Sequence, residues 1–345
     1  MANVFDYLNW RDDLSFDSLN EIDVLIFNRI VYFPWERIVN EQEKISISDA
    51  YQKALTNKEI KCAKQDLELL KRLAHSKRYQ ELKISDVVCK VDLSKEEQFM
   101  ALTIHLPKNY LYIAFRGTTN DIIGWKESLN MSYMTIFSQL DALNYLKKVN
   151  ISKKLYLGGH SKGGNLAMYA AIHANRLIQK RIVKVYNYDG PGFLELNDKY
   201  YSINKKIISY LPSSSIIGRL MNTNHETKII TSNKTGFNCH NLYTWQVEKD
   251  YFIESTFTEE SNFLKKITDE FLKRVSPNNR QKFVNDIFDA ILKTGAKSIK
   301  DINFSKLKDI ILSYRALDKE SKELLFSIFK VVYDSTKDNM KISNQ

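Results

Sequence analysis

The sequence predicts an α/β protein with a mostly parallel central sheet and flanking helices, between an N-terminal helical segment and a C-terminal helical appendage. Two observations support this fold class. Short apolar runs alternate with amphipathic segments from about residue 87 to residue 231, as in consecutive strand–helix–strand units. Beyond about residue 255, apolar residues recur only at helical spacing. We therefore expect one domain at 1–259 and a helical appendage at 260–345.

Amphipathic patterns predict mainly helices over residues 16–82, because apolar side chains recur every three or four positions after Leu19 and again after Asp66. Seven apolar or alternating runs predict strands at 87–92, 98–105, 110–115, 154–157, 181–188, 207–211 and 228–231. The pair Lys108-Asn109 is a turn signal, so the second and third runs should form a hairpin. A helix is expected at 138–149, before the fourth strand.

The appendage is predicted to contain four helices at 262–275, 279–294, 304–316 and 319–337, with a stop at Ser276-Pro277. The chain has a net charge of +10, and the appendage carries seventeen Lys and Arg against twelve Asp and Glu. No basic stripe with interleaved aromatic residues is present, which argues against nucleic-acid binding. The appendage either covers the domain or offers a basic surface to anionic membrane. Four successive amphipathic segments pack on one another readily, which favours the covering role.

The composition is that of an ordinary globular protein, with 43% hydrophobic and 27% charged residues among 345. No apolar stretch has the length of a membrane span, and residues 1–16 lack the apolar core of a signal peptide. Cys62, Cys89 and Cys239 have no paired spacing, which argues against a disulfide framework or a zinc site. We therefore expect a soluble cytoplasmic protein, and nothing in the sequence implies a metal or an organic cofactor.

The strongest functional signal is Gly-His-Ser-Lys-Gly at 159–163. A strand precedes it, and an Ala-rich helical run follows from Asn165, which is the strand–turn–helix context of a nucleophile elbow. The two glycines leave space beside Ser161, and the helix N-terminus points toward its hydroxyl. A phosphate-binding loop would need Gly-Lys-Ser/Thr in that order, whereas here the serine precedes the lysine. The pattern predicts Ser161 as a catalytic nucleophile.

The base is predicted from chain order, which in this architecture runs from serine to acid to histidine. Four histidines are disfavoured by their positions relative to the elbow: His75, His105, His160 and His173. His240 follows the last predicted strand, in the loop where the base should emerge. His225 precedes that strand and fits a surface turn better. We expect His240 to be the base, with Cys239 beside it as a small buried hydrophobe.

The acid is predicted with an alternative left open. The loop after the second strand beyond the elbow has serines at 213–215 and no carboxylate, whereas Asp189 follows the first such strand. Asp189 can orient His240 if its loop bends toward the imidazole; otherwise it is an Asx-turn residue of a Gly-Pro-Gly loop. The oxyanion donors are expected to be the backbone N–H of Lys162 and a group from the loop at Thr118, after Gly117.

Seven blocks carry a family resemblance: residues 7–12, 115–118, 124–127, 159–167, 188–193 and 215–218, and His240 followed by Trp245. With these blocks the chain resembles the fungal-lipase-like (class 3) branch of the α/β-hydrolases, and more closely a bacterial lipase-like family, domain of unknown function 2974. The resemblance spans nearly the whole chain. It implies an α/β-hydrolase fold, the roles of Ser161 and His240, and Thr118 as oxyanion donor, but no substrate. Two departures from class 3 lipases are Lys162, in place of an apolar residue, and the serines at the expected acid position.

Two functional hypotheses follow. The first is a serine hydrolase that cleaves an acyl ester, of a small molecule or a lipid, with Ser161, His240 and Asp189 as the triad. The second is a catalytically silent hydrolase-fold protein with a binding or regulatory role, which the unusual acid position and Lys162 would favour. The joint presence of serine, histidine and oxyanion loop favours the enzyme.

Overall fold

The computed structural model describes residues 2–11, 15–16, 18–40, 43–149, 152–293, 319 and 322–323. Its α-helices are α1 Val4–Arg11, α2 Glu21–Ile30, α3 Ile47–Thr56, α4 Lys64–His75, α5 Ile122–Asn130, α6 Phe137–Lys148, α7 Lys162–His173, α8 Arg176–Arg181, α9 Asp198–Tyr201, α10 Glu259–Arg274 and α11 Pro277–Lys293. Its strands are β1 Ile45–Ser46, β2 Lys83–Asp92, β3 Glu97–Leu106, β4 Tyr110–Phe115, β5 Lys154–His160, β6 Ile182–Tyr188, β7 Ile207–Pro212, β8 Glu226–Ile230, β9 Val247–Glu248 and β10 Tyr251–Phe252. The helices expected at 304–316 and 319–337 fall almost wholly outside the described residues.

The central sheet has eight strands in the order β1 to β8. The first four pair antiparallel, and β4 to β8 pair parallel, so the expected mostly parallel sheet is confirmed. The hairpin between β3 and β4 turns at Lys108 and Asn109, which both have positive φ angles (55° and 70°), as the turn signal predicted. All strand runs predicted from the sequence are present, with ends shifted by a few residues.

Each face of the sheet carries its own hydrophobic core. Along β4, Leu111, Ile113 and Phe115 belong to the core beneath α6 and α7, whereas Tyr112 and Ala114 belong to the core beneath α2 and α4. This alternation follows from the period of two along a strand. A mostly parallel sheet covered by helices on both faces, with a sharp turn between β5 and α7, confirms the α/β-hydrolase fold class.

One buried carboxylate holds the parts of the N-terminal segment together. Asp23 on α2 is fully buried and accepts hydrogen bonds from the hydroxyls of Tyr7 (2.9 Å) and Tyr79 (2.5 Å). The Arg78 guanidinium also donates to it at 2.6 and 3.0 Å. A buried charge paired and hydrogen-bonded on all sides fixes the relative positions of the elements that meet there. The helix α1 and the short strand β1 were not predicted. Both are brief: α1 is held through Tyr7 by this network, and β1 by its pairing with β2.

The start of the predicted appendage packs on the domain. Its first helix, α10, begins after the N-cap Thr258, and Ser261 donates to the carbonyl oxygen of Ser215 at 2.6 Å. A third core joins α10 and α11 to α5 through these buried side chains: Ile122, Phe271, Val275, Phe283, Val284, Ile287, Phe288 and Ile291. The described part of the appendage therefore lies against α5, the helix that follows β4. The division at 259/260, which falls at the first turn of α10, stays a prediction.

Candidate active site

Ser161 occupies a strained turn between β5 and α7. Its backbone has φ 59° and ψ −133°, a combination that a serine adopts at a cost of about 1–3 kcal/mol and that concentrates at functional sites. Its N–H donates to the carbonyl of Tyr188 at 2.9 Å, and its own carbonyl accepts from Gly164 at 2.9 Å. The turn is therefore held by backbone hydrogen bonds on both sides of the serine.

Two glycines allow the turn to be this tight. A Cβ atom on Gly163 would overlap the carbonyl oxygen of Phe115, and one on Gly159 would overlap the backbone of Gly163. The start of α7 thus approaches the ends of β4 and β5 more closely than any side chain permits. This is the structural reason for the glycine spacing seen in the sequence.

The carboxylate of Asp189 is bonded through both oxygens. Its Oδ2 lies 2.6 Å from Nδ1 of His240, and its Oδ1 accepts from the Ser215 hydroxyl and from the backbone N–H of Gly218 (3.1 Å). Asp189 is almost fully buried, with 1% of its surface exposed. Because a carboxylate accepts from Nδ1–H, the other ring nitrogen of His240 is left as a proton acceptor.

The Gly-Pro-Gly loop after Asp189 has its own supports. Asn187 accepts from the N–H of Gly190 (3.0 Å) and donates to its carbonyl (2.9 Å), so it fills the Asx role that was the alternative for Asp189. Asn165 on α7 donates to the carbonyl of Gly192 at 2.8 Å. The loop is thereby fastened to the elbow helix, and the Asp189 side chain is left to face His240.

His240 ends a short 3₁₀ helix, Gly236–His240, in the loop after β8. The segment is anchored by Cys239, which is buried, donates its thiol to the carbonyl of Gly236 (3.0 Å) and accepts from Trp245 Nε1 (2.9 Å) through its carbonyl. Burial raises the pKa of the Cys239 thiol, so it stays protonated and unreactive. The His240 ring lies 4.3 Å from that of His160, the residue before the serine.

A hydrogen-bond chain through His160 joins three loops. Nε2 of His160 lies 2.8 Å from the carbonyl of His240, and Nδ1 lies 3.1 Å from the Tyr32 hydroxyl, which accepts from the N–H of Gly117 (3.1 Å). Burial, with the neighbouring His240, holds the pKa of His160 well below its usual range. The neutral ring therefore donates at Nε2 and accepts at Nδ1. No role was predicted for Tyr32, because nothing in the sequence around residue 32 indicates that it lies near the Ser161 turn.

The loop after β4, residues 116–121 (the β4 loop), passes beside Ser161. A Cβ atom on Gly117 would lie 3.0 Å from Cβ of Ser161. Thr118 is half-buried, and its hydroxyl lies 2.5 Å from that of Ser128 on α5. Lys162 is the first residue of α7, so its N–H has no partner within the helix. Lys162 thus follows Ser161 in the chain, and Thr118 follows Gly117, whose backbone lies beside Ser161. Their role as oxyanion donors stays a prediction.

The side chain of Lys162 is buried in an ion pair. Nζ contacts the carboxylate of Glu127 and the carbonyl of Gln98 (2.7 Å), and only 1% of the lysine surface is exposed. Its charge is thus neutralised within the protein. Glu127 belongs to one of the blocks that carry the family resemblance, but no role was predicted for it or for Gln98.

His225 lies in a bend directly before β8, as expected, but it is less exposed than a surface turn residue would be. His225 is half-buried and lies 2.6 Å from both the Ser209 and Tyr200 hydroxyls. Burial lowers its pKa to about 4, so it is a neutral structural residue.

Across the described part of the chain, no cluster of His, Cys, Asp or Glu has the arrangement of a metal site. None of the described helices is long and apolar enough to cross a membrane.

Fold and elbow together define the chain as an α/β-hydrolase. The family model described as Mbeg1-like matches residues 73–289, more than half of the chain, and the chain belongs to this lipase-like family, the one designated domain of unknown function 2974. This membership supports a hydrolase of the lipase or esterase type. No curated protein matches the sequence.

Solved lipase structures are similar to parts of the chain. The M37 lipase is 17% identical, with 58% of this chain and 68% of that one covered and a TM-score of 0.35. The Rhizomucor miehei lipase propeptide complex is 16% identical over 62% and 69%, with a TM-score of 0.37. The Lip2 lipase from Yarrowia lipolytica is 12% identical over 73% and 91%, with a TM-score of 0.38. Because these scores are low, the fold assignment rests on the sheet and on the family.

Proposed function

We propose that the protein is a serine hydrolase that cleaves an acyl ester, with Ser161 as nucleophile, His240 as base and Asp189 as the acid. The observation that carries the proposal is the 2.6 Å contact between Asp189 Oδ2 and His240 Nδ1, beside a strained elbow serine. A serine on such a turn and a histidine oriented by a buried carboxylate are the parts that acyl transfer requires. The lipase-like family supports the same reaction class.

The reaction proceeds in two halves. Ser161 Oγ bonds to the ester carbonyl carbon while Nε2 of His240 takes its proton, and the N–H of Lys162 with Thr118 stabilises the oxyanion. When the intermediate collapses, the C–O bond to the alcohol breaks, and His240 returns the proton to the departing oxygen. Water then attacks the acyl-enzyme by the same route and releases the carboxylic acid. Asp189 stays ionised and stabilises the imidazolium throughout.

Aromatic side chains beside the base favour an apolar acyl group. The ring of Phe237 lies 5.9 Å from that of His240, and the ring of Trp125 lies 5.9 Å from that of Phe237. Trp125 in turn packs against the core that α10 and α11 share with α5. We assign the substrate to the class of lipid or other apolar esters.

We also propose a cytoplasmic location, because the free cysteines at 62, 89 and 239 fit a reducing compartment.

The test is hydrolysis of p-nitrophenyl esters with acyl chains of graded length. The wild type should release p-nitrophenol, with kcat/KM rising from acetate to medium-chain esters, and Ser161→Ala should release none at unchanged melting temperature. Ser202→Ala, on an exposed serine, is the matched control and should behave as the wild type. A wild type without activity on every ester, and without phosphonate labelling, would support the silent binding protein instead.

A further inference from the structure

The residue after the nucleophile carries a buried positive charge that the proposed reaction does not use. Lys162 and Glu127 have about 1% of their surfaces exposed, and their charged groups form an ion pair. Burial lowers the pKa of the Lys162 ammonium, while Glu127 opposes that effect. Removing two charges from water is costly, and apolar residues of similar size usually give equal or greater stability. The pair therefore calls for a reason other than stability.

The carboxylate of Glu127 makes a full set of contacts. One oxygen accepts from the backbone N–H of Gln98 (3.1 Å) as well as from Lys162. The other accepts from the backbone N–H (3.2 Å) and the hydroxyl (2.6 Å) of Ser138, at the start of α6. A buried polar network in which every member is satisfied allows one arrangement and no other nearby. Glu127 thereby fixes α5, α6, β3 and the elbow relative to one another.

Gln98 extends this network to the β4 loop. Its Oε1 accepts from the backbone N–H of Thr119 (3.1 Å), and its Nε2 donates to the Thr119 hydroxyl (2.9 Å). Its own backbone carbonyl accepts from Lys162 Nζ at 2.7 Å. One continuous set of contacts thus runs from Lys162 through Gln98 to Thr119, the neighbour of Thr118.

One end of this set of contacts is Lys162, whose own backbone N–H is one proposed oxyanion donor. The other end is Thr119, which follows Thr118, the second proposed donor. We propose that Lys162, Glu127 and Gln98 are positioning residues that set the spacing between the Lys162 N–H and Thr118. This inference rests on the proposed ester hydrolase function. An oxyanion hole requires donors held within a few tenths of an ångström of the developing charge, and a directional ionic network holds that spacing better than apolar packing.

A comparison of single and double variants separates positioning from stability. Lys162→Met leaves a buried carboxylate unpaired and Glu127→Leu leaves a buried ammonium unpaired, so each single variant should show a lower melting temperature. The double variant Lys162→Met/Glu127→Leu removes both charges and should regain most of that loss. Its kcat should nevertheless stay at least tenfold below the wild type, with KM changed less than threefold. The reason is that the two oxyanion donors are no longer held at the required spacing.

Gln98→Met provides a second test that leaves the ion pair intact. It removes all the side-chain hydrogen bonds to Thr119, which is half-buried and can bind water instead. The melting temperature should change little, while kcat falls by about tenfold. In all variants the affinity for a trifluoromethyl ketone, which forms a tetrahedral oxyanion on the serine, should fall in parallel with kcat/KM.

The outcomes distinguish this inference from the proposed function. A wild type without ester hydrolysis overturns both. An active wild type together with Gln98→Met and double variants that fold and keep kcat within threefold overturns the positioning role alone and leaves the hydrolase intact. Should the double variant fail to fold, Gln98→Met and its ketone affinity decide the question by themselves.

Discussion

At the scale of single residues, Asp189 is the position where the sequence was ambiguous and the structure adds most. Its carboxylate contacts His240, Ser215 and Gly218. Ser215, one of the serines at the expected acid position, therefore donates to the Asp189 carboxylate. This could not be predicted, because Ser215 and Asp189 lie 26 positions apart on different strand ends.

Replacing Asp189 by asparagine should lower kcat by roughly 10⁴-fold, because an amide favours the wrong tautomer of the base. Ester hydrolysis by purified protein measures this. Ser215→Ala should cost far less, about tenfold, since Gly218 still donates to the carboxylate. If Asp189→Asn lost less than tenfold, another carboxylate or a Ser-His dyad would have to do the work.

Tyr32 should matter although it lies outside the region that the family model matches. Tyr32→Phe removes the hydroxyl between the Gly117 N–H and His160, and leaves two buried groups unpaired. We expect kcat to fall by about tenfold. Tyr110→Phe, whose ring stacks on Tyr156, is the matched control and should retain full activity. Equal activity of both variants would mean that the hydrogen-bond chain through Tyr32 and His160 has no part in positioning the loops that it joins.

At the scale of elements, the sequence predicted the strands of the sheet but missed α5, the helix that contributes Glu127 to the contacts of the elbow. Apolar runs located β2 to β8, because strands in a covered sheet are apolar over most of their length. The helix α5 was missed: Gly124 weakens its helical pattern, although its N-cap Asp121, which accepts from Ile123, is a recognisable signal. The contacts of α5 with the elbow and with β3 link residues 35 and 29 positions apart, which no local pattern encodes.

The elbow itself should tolerate no side chain at Gly163. In an ordinary helix Gly→Ala stabilises by about 0.5–1 kcal/mol, because alanine restricts the unfolded chain. Here the added methyl overlaps the Phe115 carbonyl, so Gly163→Ala should destabilise by about 1–3 kcal/mol. Urea denaturation measures the difference in free energy of unfolding. A stabilised variant would show that α7 approaches β4 less closely than described.

At the scale of the whole molecule, the chain is proposed to combine a hydrolase domain at 1–259 with a helical appendage at 260–345. Within the described residues, α10 and α11 share a core with α5, the helix that follows the β4 loop. This contact supports the covering role over the membrane role. The net charge of +10 indicates a basic protein but does not by itself select a partner.

Two phenylalanines on these helices test the covering role. Phe288 is 4% exposed in the shared core, whereas Phe263 is 58% exposed. Phe288→Asp should lower the melting temperature by several degrees, because it buries an unpaired carboxylate, and Phe263→Asp should not. Circular dichroism during heating distinguishes them. Equal melting temperatures would contradict a packed appendage.

Deleting residues 260–345 should give aggregating protein, because the apolar side chains that α10 and α11 cover (Ile122, Trp125 and Tyr133) are bared. Sedimentation and light scattering measure this directly. A truncated protein that stayed soluble, cleaved short esters and failed only to sediment with anionic liposomes would favour the membrane role instead.

The central claim is that Ser161 is a nucleophile activated by His240, and labelling by a fluorophosphonate tests it most directly. The reagent forms a covalent bond only with an activated serine, and mass spectrometry of the labelled peptide locates the adduct. The account predicts stoichiometric labelling of the wild type at Ser161, none in Ser161→Ala, and strongly slowed labelling in His240→Ala. Labelling that persisted undiminished in Ser161→Ala, or a wild type that was never labelled, would contradict it.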